Sequence, residues 1–271
     1  MDFNENKRKL PECYRVYLTT HTGLVRENNE DNFTINTVSK KLEYRNLSFD
    51  AVYEAPLVAA VFDGMGGEAK GEHAAFISAK LAKGLRNAVK MYPDKPINVL
   101  VGDYIQRAND GIRAFLEENY CQTGGTTVAA AIIKYGIIFP FSLGDSRIYL
   151  LRDSKLFQIS HDHTLAMKKY EANIYTKEEA DKSLDSHRLT AFLGADYYRE
   201  GISPQYYEPV VMKKTDRLLL CSDGLYDELS PDEIQATMNK YPDNPALELV
   251  RAAIDHGGND NVTCAVVERE Y

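Results

Sequence analysis

No segment of this chain runs for the roughly 20 apolar residues needed to cross a bilayer as a helix. No block of Lys or Arg concentrates positive charge either, and the net charge is -8 with a pI near 5.4. The first absence argues against a membrane span, and the second against a nucleic-acid or anionic-membrane surface. The opening residues Met1-Asp2-Phe3-Asn4-Glu5-Asn6-Lys7 do not read as a signal peptide. Cysteine is scarce: Cys13, Cys121, Cys221 and Cys264 lie far apart with no CxxC pair. They read as free thiols, two of them in apolar strands, in a reducing, cytoplasmic setting. There is no GxxxxGK[ST] loop, no CxxxxxR loop, and no second acid two residues after Asp63. P-loop, thiolate and aspartyl-phosphate chemistry are thereby set aside. Repeats, linkers and low-complexity segments are also missing, so the chain reads as one domain over residues 1–271.

What is present is an ordinary globular composition, 44% apolar and 27% charged over 271 residues, enough for a substantial core. The chain is organised around Val58-Ala59-Ala60-Val61-Phe62-Asp63-Gly64-Met65-Gly66-Gly67. An apolar run of strand length stops on a carboxylate, and glycines crowd behind it, as where a backbone must bend sharply and approach something closely. The phrase returns at Leu218-Leu219-Leu220-Cys221-Ser222-Asp223-Gly224.

Further strands are expected at 15–20, 33–38, 126–133, 137–143, 147–151, 156–160, 206–212, 217–221 and 262–268, with a polar hairpin between 38 and 57. Apolar positions at helical spacing predict helices over 71–90 (Ala74, Ile77, Leu81, Leu85, Ala88) and 98–118 (Val101, Ile105, Ala108, Ile112, Phe115). Ser230-Pro231-Asp232-Glu233 carries a helix start with a capping box, and Asn244-Pro245 opens a last helix that Gly257 ends. Residues from His161 to about Asp196 turn polar and weakly helical, as in a surface subdomain or lid. Elements arrive in blocks rather than in strict alternation, which favours an α+β fold.

Asp31, Asp63, Asp145, Asp223 and Asp260 each stand where an apolar strand meets a turn, most with glycine close by. One such Asp can simply cap its turn. Taken together they are the oxygen donors that hard cations prefer. An acidic protein that handles phosphate must import its positive charge, and divalent metals would supply it. Arg26 is the one cation within the acidic stretch at 26–31, and its planar fork suits a phosphate dianion; pairing with Glu30 is the plainer alternative. The pair His161-Asp162-His163 could hold zinc, but a solvated strand-end pair explains it more simply.

The order of motifs then becomes recognisable: Arg26-Glu27-Asn28-Asn29-Glu30-Asp31-Asn32-Phe33, Asp63-Gly64-Met65-Gly66-Gly67, Gly124-Gly125-Thr126-Thr127, Gly144-Asp145-Ser146-Arg147, Leu189-Thr190-Ala191-Phe192-Leu193-Gly194, Ser222-Asp223-Gly224 and Gly258-Asn259-Asp260-Asn261-Val262-Thr263. Over residues 14–268 this resembles the metal-dependent type 2C protein serine/threonine phosphatases, in their short bacterial form. The resemblance implies a four-layer α-β-β-α sandwich of two antiparallel sheets flanked by helices. It implies a binuclear Mn2+ or Mg2+ centre, with a third, weaker site. Asp63 would bridge two metals, the Gly64 carbonyl would bind one, and Asp223 and Asp260 would hold the other. Glu30 and Asp31 would contact metal directly or through water, and Asp145 with Asp223 would hold the third ion.

Arg26 would grip the substrate phosphate, and 161–196 would be the flap that shapes substrate access. The implied catalytic group is thus Arg26, Asp63 and Asp223, working on phosphorylated proteins opposite a serine/threonine kinase, in a monomer. Two departures stand out. Met65 occupies a position where many eukaryotic members carry a His acid, and Ala191 one where an Arg is common. A pseudophosphatase, a module of this shape that binds phosphoprotein without turnover, is the alternative; its hallmark is lost metal-ligating Asp, and none is lost here.

Overall fold

In the computed structural model, residues 12–66, 70–121, 123–196 and 202–270 are described. Gly67 of the central motif lies outside them. In chain order the elements are β1 (Cys13–His21), β2 (Asn32–Ile35), β3 (Leu47–Glu54), β4 (Leu57–Phe62), β5 (Gly64–Met65), α1 (Lys70–Met91) and α2 (Ile97–Glu118). Then come β6 (Gly125–Thr126), β7 (Val128–Lys134), β8 (Ile137–Leu143), β9 (Arg147–Arg152), β10 (Lys155–Gln158), α3 (Leu165–Glu171) and α4 (Lys177–Lys182), followed by a 3-10 turn at Leu184–His187. The chain closes with β11 (Gln205–Tyr206), β12 (Val210–Val211), β13 (Arg217–Cys221), α5 (Asp223–Tyr226), α6 (Pro231–Lys240), α7 (Pro245–Asp255) and β14 (Val262–Arg269).

Two antiparallel sheets form, ordered β10-β9-β13-β14-β1-β3 and β11-β8-β7-β4-β2, with β12 also on β8 and a small β5-β6 pair beside them. They stack face to face because the central strands are apolar on both sides. In β4, Leu57, Ala59 and Val61 enter the core between the sheets, while Val58, Ala60 and Phe62 pack against α1 and α2. In β13, Leu218 and Leu220 face inward, while Leu219 and Cys221 meet α6 and α7. A strand buried on both faces needs a continuous apolar run, which explains why neither sequence alternates. The four-layer α-β-β-α order follows. No helix among the described residues is long and apolar enough to cross a membrane.

Several expectations are corrected. The polar excursion before β4 does not close as a hairpin on its neighbours in chain order; β3 crosses to the other sheet and pairs with β1, from Cys13↔Glu54 to Thr20↔Leu47. The strand at 126–133 breaks at Thr127, so that β6 pairs with β5 and β7 with β4. The strand at 33–38 stops at Ile35, where Asn36 turns at φ 54°. The segment 206–212 becomes two short strands, each on β8. In α1 Ala74 and Leu85 are buried as expected, but Ala75, Ala79 and Ala82 join them and Leu81 is 37% exposed. Small residues let the helix lie close on the sheet, while Ile77 and Leu81 face Gly111 of α2. The α2 stripe and the capping box at Ser230 and Glu233 form as expected.

Candidate metal centre

Strand register alone delivers the acids to one end of the sandwich. β2 and β4 pair through Asn32↔Phe62, so Asp31 and Asp63 are the next residues in register at the end of that ladder. β9 and β13 pair through Arg147↔Cys221, and continuing the register by two residues sets Asp145 opposite Asp223. Asp260 sits just before β14, whose pairing with β13 ends at Cys221↔Cys264. Side chains then tie the two sheets together. Ser222 Oγ donates to Asp31 Oδ2 at 2.7 Å and accepts from the Thr263 backbone N–H at 2.9 Å. Thr126 Oγ1 donates to the Asp63 carbonyl, and Thr127 Oγ1 accepts the Asp63 N–H.

The glycines after these acids permit the crowding. A Cβ on Gly64 would strike the carbonyls of Glu30 and Gly71, and one on Gly224 the carbonyl of Asn261. Only a residue without a side chain brings those backbones together.

Asn261 is the staple. Its Oδ1 accepts the Glu30 N–H at 2.7 Å, and its Nδ2 donates to the carbonyls of Thr22 and Asn28 at 2.8 Å each. It thus joins the acidic loop at 22–31 to the start of β14. Asn261→Ala should lower unfolding stability by roughly 3 kcal/mol, at about 1 kcal/mol per lost bond, which urea titration would measure.

The electrostatics are strained by like charge. Asp63 is raised well above the ordinary carboxylate range, first by burial and then by the charges of Asp223, Asp31 and Asp145. Asp145 is raised well above that range by burial and then by Asp223. Asp223 is raised by burial and then by Asp260. Asp31 is pushed up to about 7, chiefly by burial. Glu30 also rises to about 7, by burial and then by Glu72. Among the charges acting on Asp63 that of Asp223 comes first, a repulsion that a proton or a cation relieves. Asp31 Oδ1 is buried with no hydrogen-bond partner among the described residues. An oxygen-only, crowded, under-satisfied donor set of this kind suits divalent Mn2+ or Mg2+.

Arg26 reaches the rim of this group, but its partner is Asp260 at 2.6 Å rather than Glu30, and its side chain is 57% exposed. Met65 lies in β5 next to Gly64, and Ala191 packs against the core under α1 and α2. His163 is satisfied by the Gly144 N–H and by Gln205, and the His161 ring lies tilted against that of Tyr207, so that pair serves the fold.

Four features escape a reading of the sequence. Lys40 is fully buried, with Nζ on the Asn29 carbonyl at 2.5 Å and the charges of Asp31, Glu72 and Glu30 around it. One Lys of the pair Lys40-Lys41 in a polar loop gives no sign of this. Glu72 faces Glu30 from α1 and accepts from Asn28 Nδ2. Asn261 and Ser222 lie within the motifs at 258–263 and 222–224, where nothing local distinguishes a hydrogen-bonding support from a turn residue. Finally, ligand atoms of His187, Asp223 and Asp227 lie within 4.8 Å of one another.

Comparison with known proteins fits this geometry. A family model described as protein phosphatase 2C matches residues 46–254. The chain is 29% identical over 254 residues to the serine/threonine phosphatase stp of Listeria welshimeri, covering 92% of this chain and 94% of that one. It is 31% identical over 257 residues to the serine/threonine protein phosphatase PstP of Mycobacterium tuberculosis, covering 91% of this chain and 43% of that longer protein. Among solved structures, that of the Mycobacterium tuberculosis serine/threonine phosphatase PstP superimposes with a TM-score of 0.78 at 28% identity, covering 96% of this chain and 100% of that one. The catalytic domain of PstP in complex with two manganese ions superimposes with a TM-score of 0.74 at 28% identity, over the same shares.

Proposed function

This chain belongs to the protein phosphatase 2C family, and from that premise we propose how its carboxylates act as a metal-dependent protein serine/threonine phosphatase. The reaction is hydrolysis of the phosphate monoester on phosphoserine or phosphothreonine. The observation that carries this reading is the strand register that sets Asp31 beside Asp63 and Asp145 opposite Asp223 at one end of the sandwich, with Ser222 bonded to Asp31 across the two sheets.

Asp63, the Gly64 carbonyl, Asp223 and Asp260 would hold two divalent cations, with Glu30 and Asp31 beside them. Asp145, next to Asp223, would help hold a third. Manganese is the ion in the PstP relative's structure, and magnesium has the same hard, oxygen-seeking chemistry. When bound, the pair supplies an activated water and neutralises the phosphoryl oxygens.

The protein's own groups set the geometry. Ser222 aims Asp31, Asn261 fixes the Glu30 backbone, and the Thr126 and Thr127 hydroxyls fix the Asp63 backbone. Arg26, whose Nε and Nη1 have no partner among the described residues, can turn its fork to a substrate phosphate while Nη2 stays on Asp260. Met65 has no proton to give, so the leaving alkoxide takes its proton from elsewhere. The segment at 161–196 serves as the flap over this site. The rest of the reading is a cytoplasmic monomer opposing a serine/threonine kinase.

The test is hydrolysis of a phosphothreonine peptide and of p-nitrophenyl phosphate across a Mn2+ titration, with an EDTA control. Activity should appear with metal and vanish with EDTA. Undiminished turnover in EDTA would overturn the mechanism. Peptide binding without turnover would favour the pseudophosphatase alternative.

A further inference from the structure

Lys40 is among the largest fully buried side chains of the molecule, and a Lys is almost never fully buried unless its surroundings pair it. Its two ends are fixed separately. At the main chain, its N–H donates to Asn32 Oδ1 at 3.0 Å and its carbonyl accepts from Asn32 Nδ2 at 3.2 Å. At the tip, Nζ donates to the Asn29 carbonyl at 2.5 Å. Asn29 and Asn32 are themselves fully buried, and Asn29 Nδ2 is anchored in turn on Thr20 Oγ1 and the Arg45 carbonyl. The pair Glu30-Asp31 lies between the two residues that Lys40 holds.

Charge and contact act on the same two acids. The carboxylates around the ammonium are those of Asp31, Glu72 and Glu30, and Lys40 is a cation that eases the charge of Asp31. Yet its hydrogen bond goes to a backbone carbonyl beside them. Asp31 Oδ2 is left to Ser222, and Asp31 Oδ1 is left with no partner among the described residues. An ammonium bonded to those oxygens would compete with a metal ion for them. Bonded to the neighbouring backbone, it holds the acids in place and leaves their oxygens open.

We propose that Lys40 is a positioning residue of the metal centre: it braces the step from Asn29 to Asn32, so that the Glu30 and Asp31 carboxylates stand ready before a cation arrives. This rests on the metal-dependent reading above.

The sign of one measurement separates a brace from a bare charge. A fixed ammonium near the centre repels a bound cation, so removing its charge alone would tighten Mn2+ binding. Removing a brace weakens it, since groups that orient metal ligands typically contribute about 10–100-fold in affinity. Calorimetric titration of Mn2+ into the EDTA-stripped protein, its fold checked by circular dichroism, should give a Kd at least about tenfold weaker in Lys40→Met. Asn32→Ala, which cuts the main-chain arm and keeps the ammonium, should weaken Mn2+ binding in the same direction, and it decides the matter should Lys40→Met not fold. A merely structural Lys40 would lower the urea midpoint in EDTA and leave the Mn2+ affinity of the folded protein unchanged. Unchanged or tighter Mn2+ binding in the folded variants would therefore overturn the proposal. If the unaltered chain binds Mn2+ and the variants match it, the brace alone falls; if the unaltered chain binds none, the metal centre and the brace fall together.

Discussion

Replacing Asp63 by Asn should do two opposite things at once: abolish hydrolysis of p-nitrophenyl phosphate and raise the melting temperature of the EDTA-treated protein. The loss of rate should be at least about a thousandfold, because an amide cannot supply the anionic oxygen around which the cations are arranged. The gain in stability follows from the folded chain itself. Asp63 is a carboxylate whose burial and whose neighbours Asp223, Asp31 and Asp145 all disfavour its charge. A neutral side chain of the same shape removes that repulsion and leaves the backbone bonds from Thr126 and Thr127 in place.

A relief of about 1 kcal/mol moves the midpoint by roughly 2–4 °C in a chain of this size. Differential scanning fluorimetry in EDTA and a rate assay in Mn2+ read the two effects separately. A variant that is both inactive and less stable in EDTA would mean that Asp63 serves the fold rather than the cation site.

The strand-then-glycine phrases made the ends of β4 and β13 visible from the chain alone, because a core strand apolar on both faces cannot end in Asp-Gly without a reason. The two long helices were visible for a similar reason, since their stripes repeat over several turns. What escaped was long-range choice. Nothing local in Leu47–Glu54 says that it will leave its neighbours and pair with β1, since alternating strands of that kind fit either sheet. In α1 the stripe finds Ala74 and Leu85 but not Ala75, Ala79 and Ala82, which carry little hydrophobic signal although small residues allow the close approach. At the site the acids were legible and their supports were not. Asn261 and Ser222 act through hydrogen bonds to loops some 190 to 230 residues away in sequence, and Lys40 through burial that only the folded chain creates.

The same crowding predicts an unusual pH dependence. In EDTA, the protein should lose stability as pH rises from about 5 to 8. Glu30 and Asp31 both sit near 7 in the folded chain, against ordinary carboxylate values of about 4 when unfolded. Between those limits the folded state binds more protons than the unfolded one, so the slope of unfolding free energy with pH is negative. Their contribution is fully present below about 4 and is lost as pH climbs through about 7. Asp63, Asp145 and Asp223, also raised, push the same way.

The carboxylates pulled down at the surface, Glu179 and Glu233 in their capping boxes and Asp185 beside Lys169, act below the ordinary carboxylate range and outside this window. His21 and His163, lowered by burial, oppose the trend below about 6.5, and Lys40, also lowered by burial, opposes it at higher pH. Millimolar Mn2+ should flatten or invert the slope, because cations replace the bound protons and bind better as the acids ionise. Melting curves at pH 5, 6, 7 and 8 with EDTA and with Mn2+ measure both slopes, and a pH electrode in weak buffer should record proton release when Mn2+ is added at pH 7. A melting temperature in EDTA that climbs steadily from pH 5 to 8 would show that these carboxylates are ionised at no cost, and the electrostatic basis for the metal site would be gone.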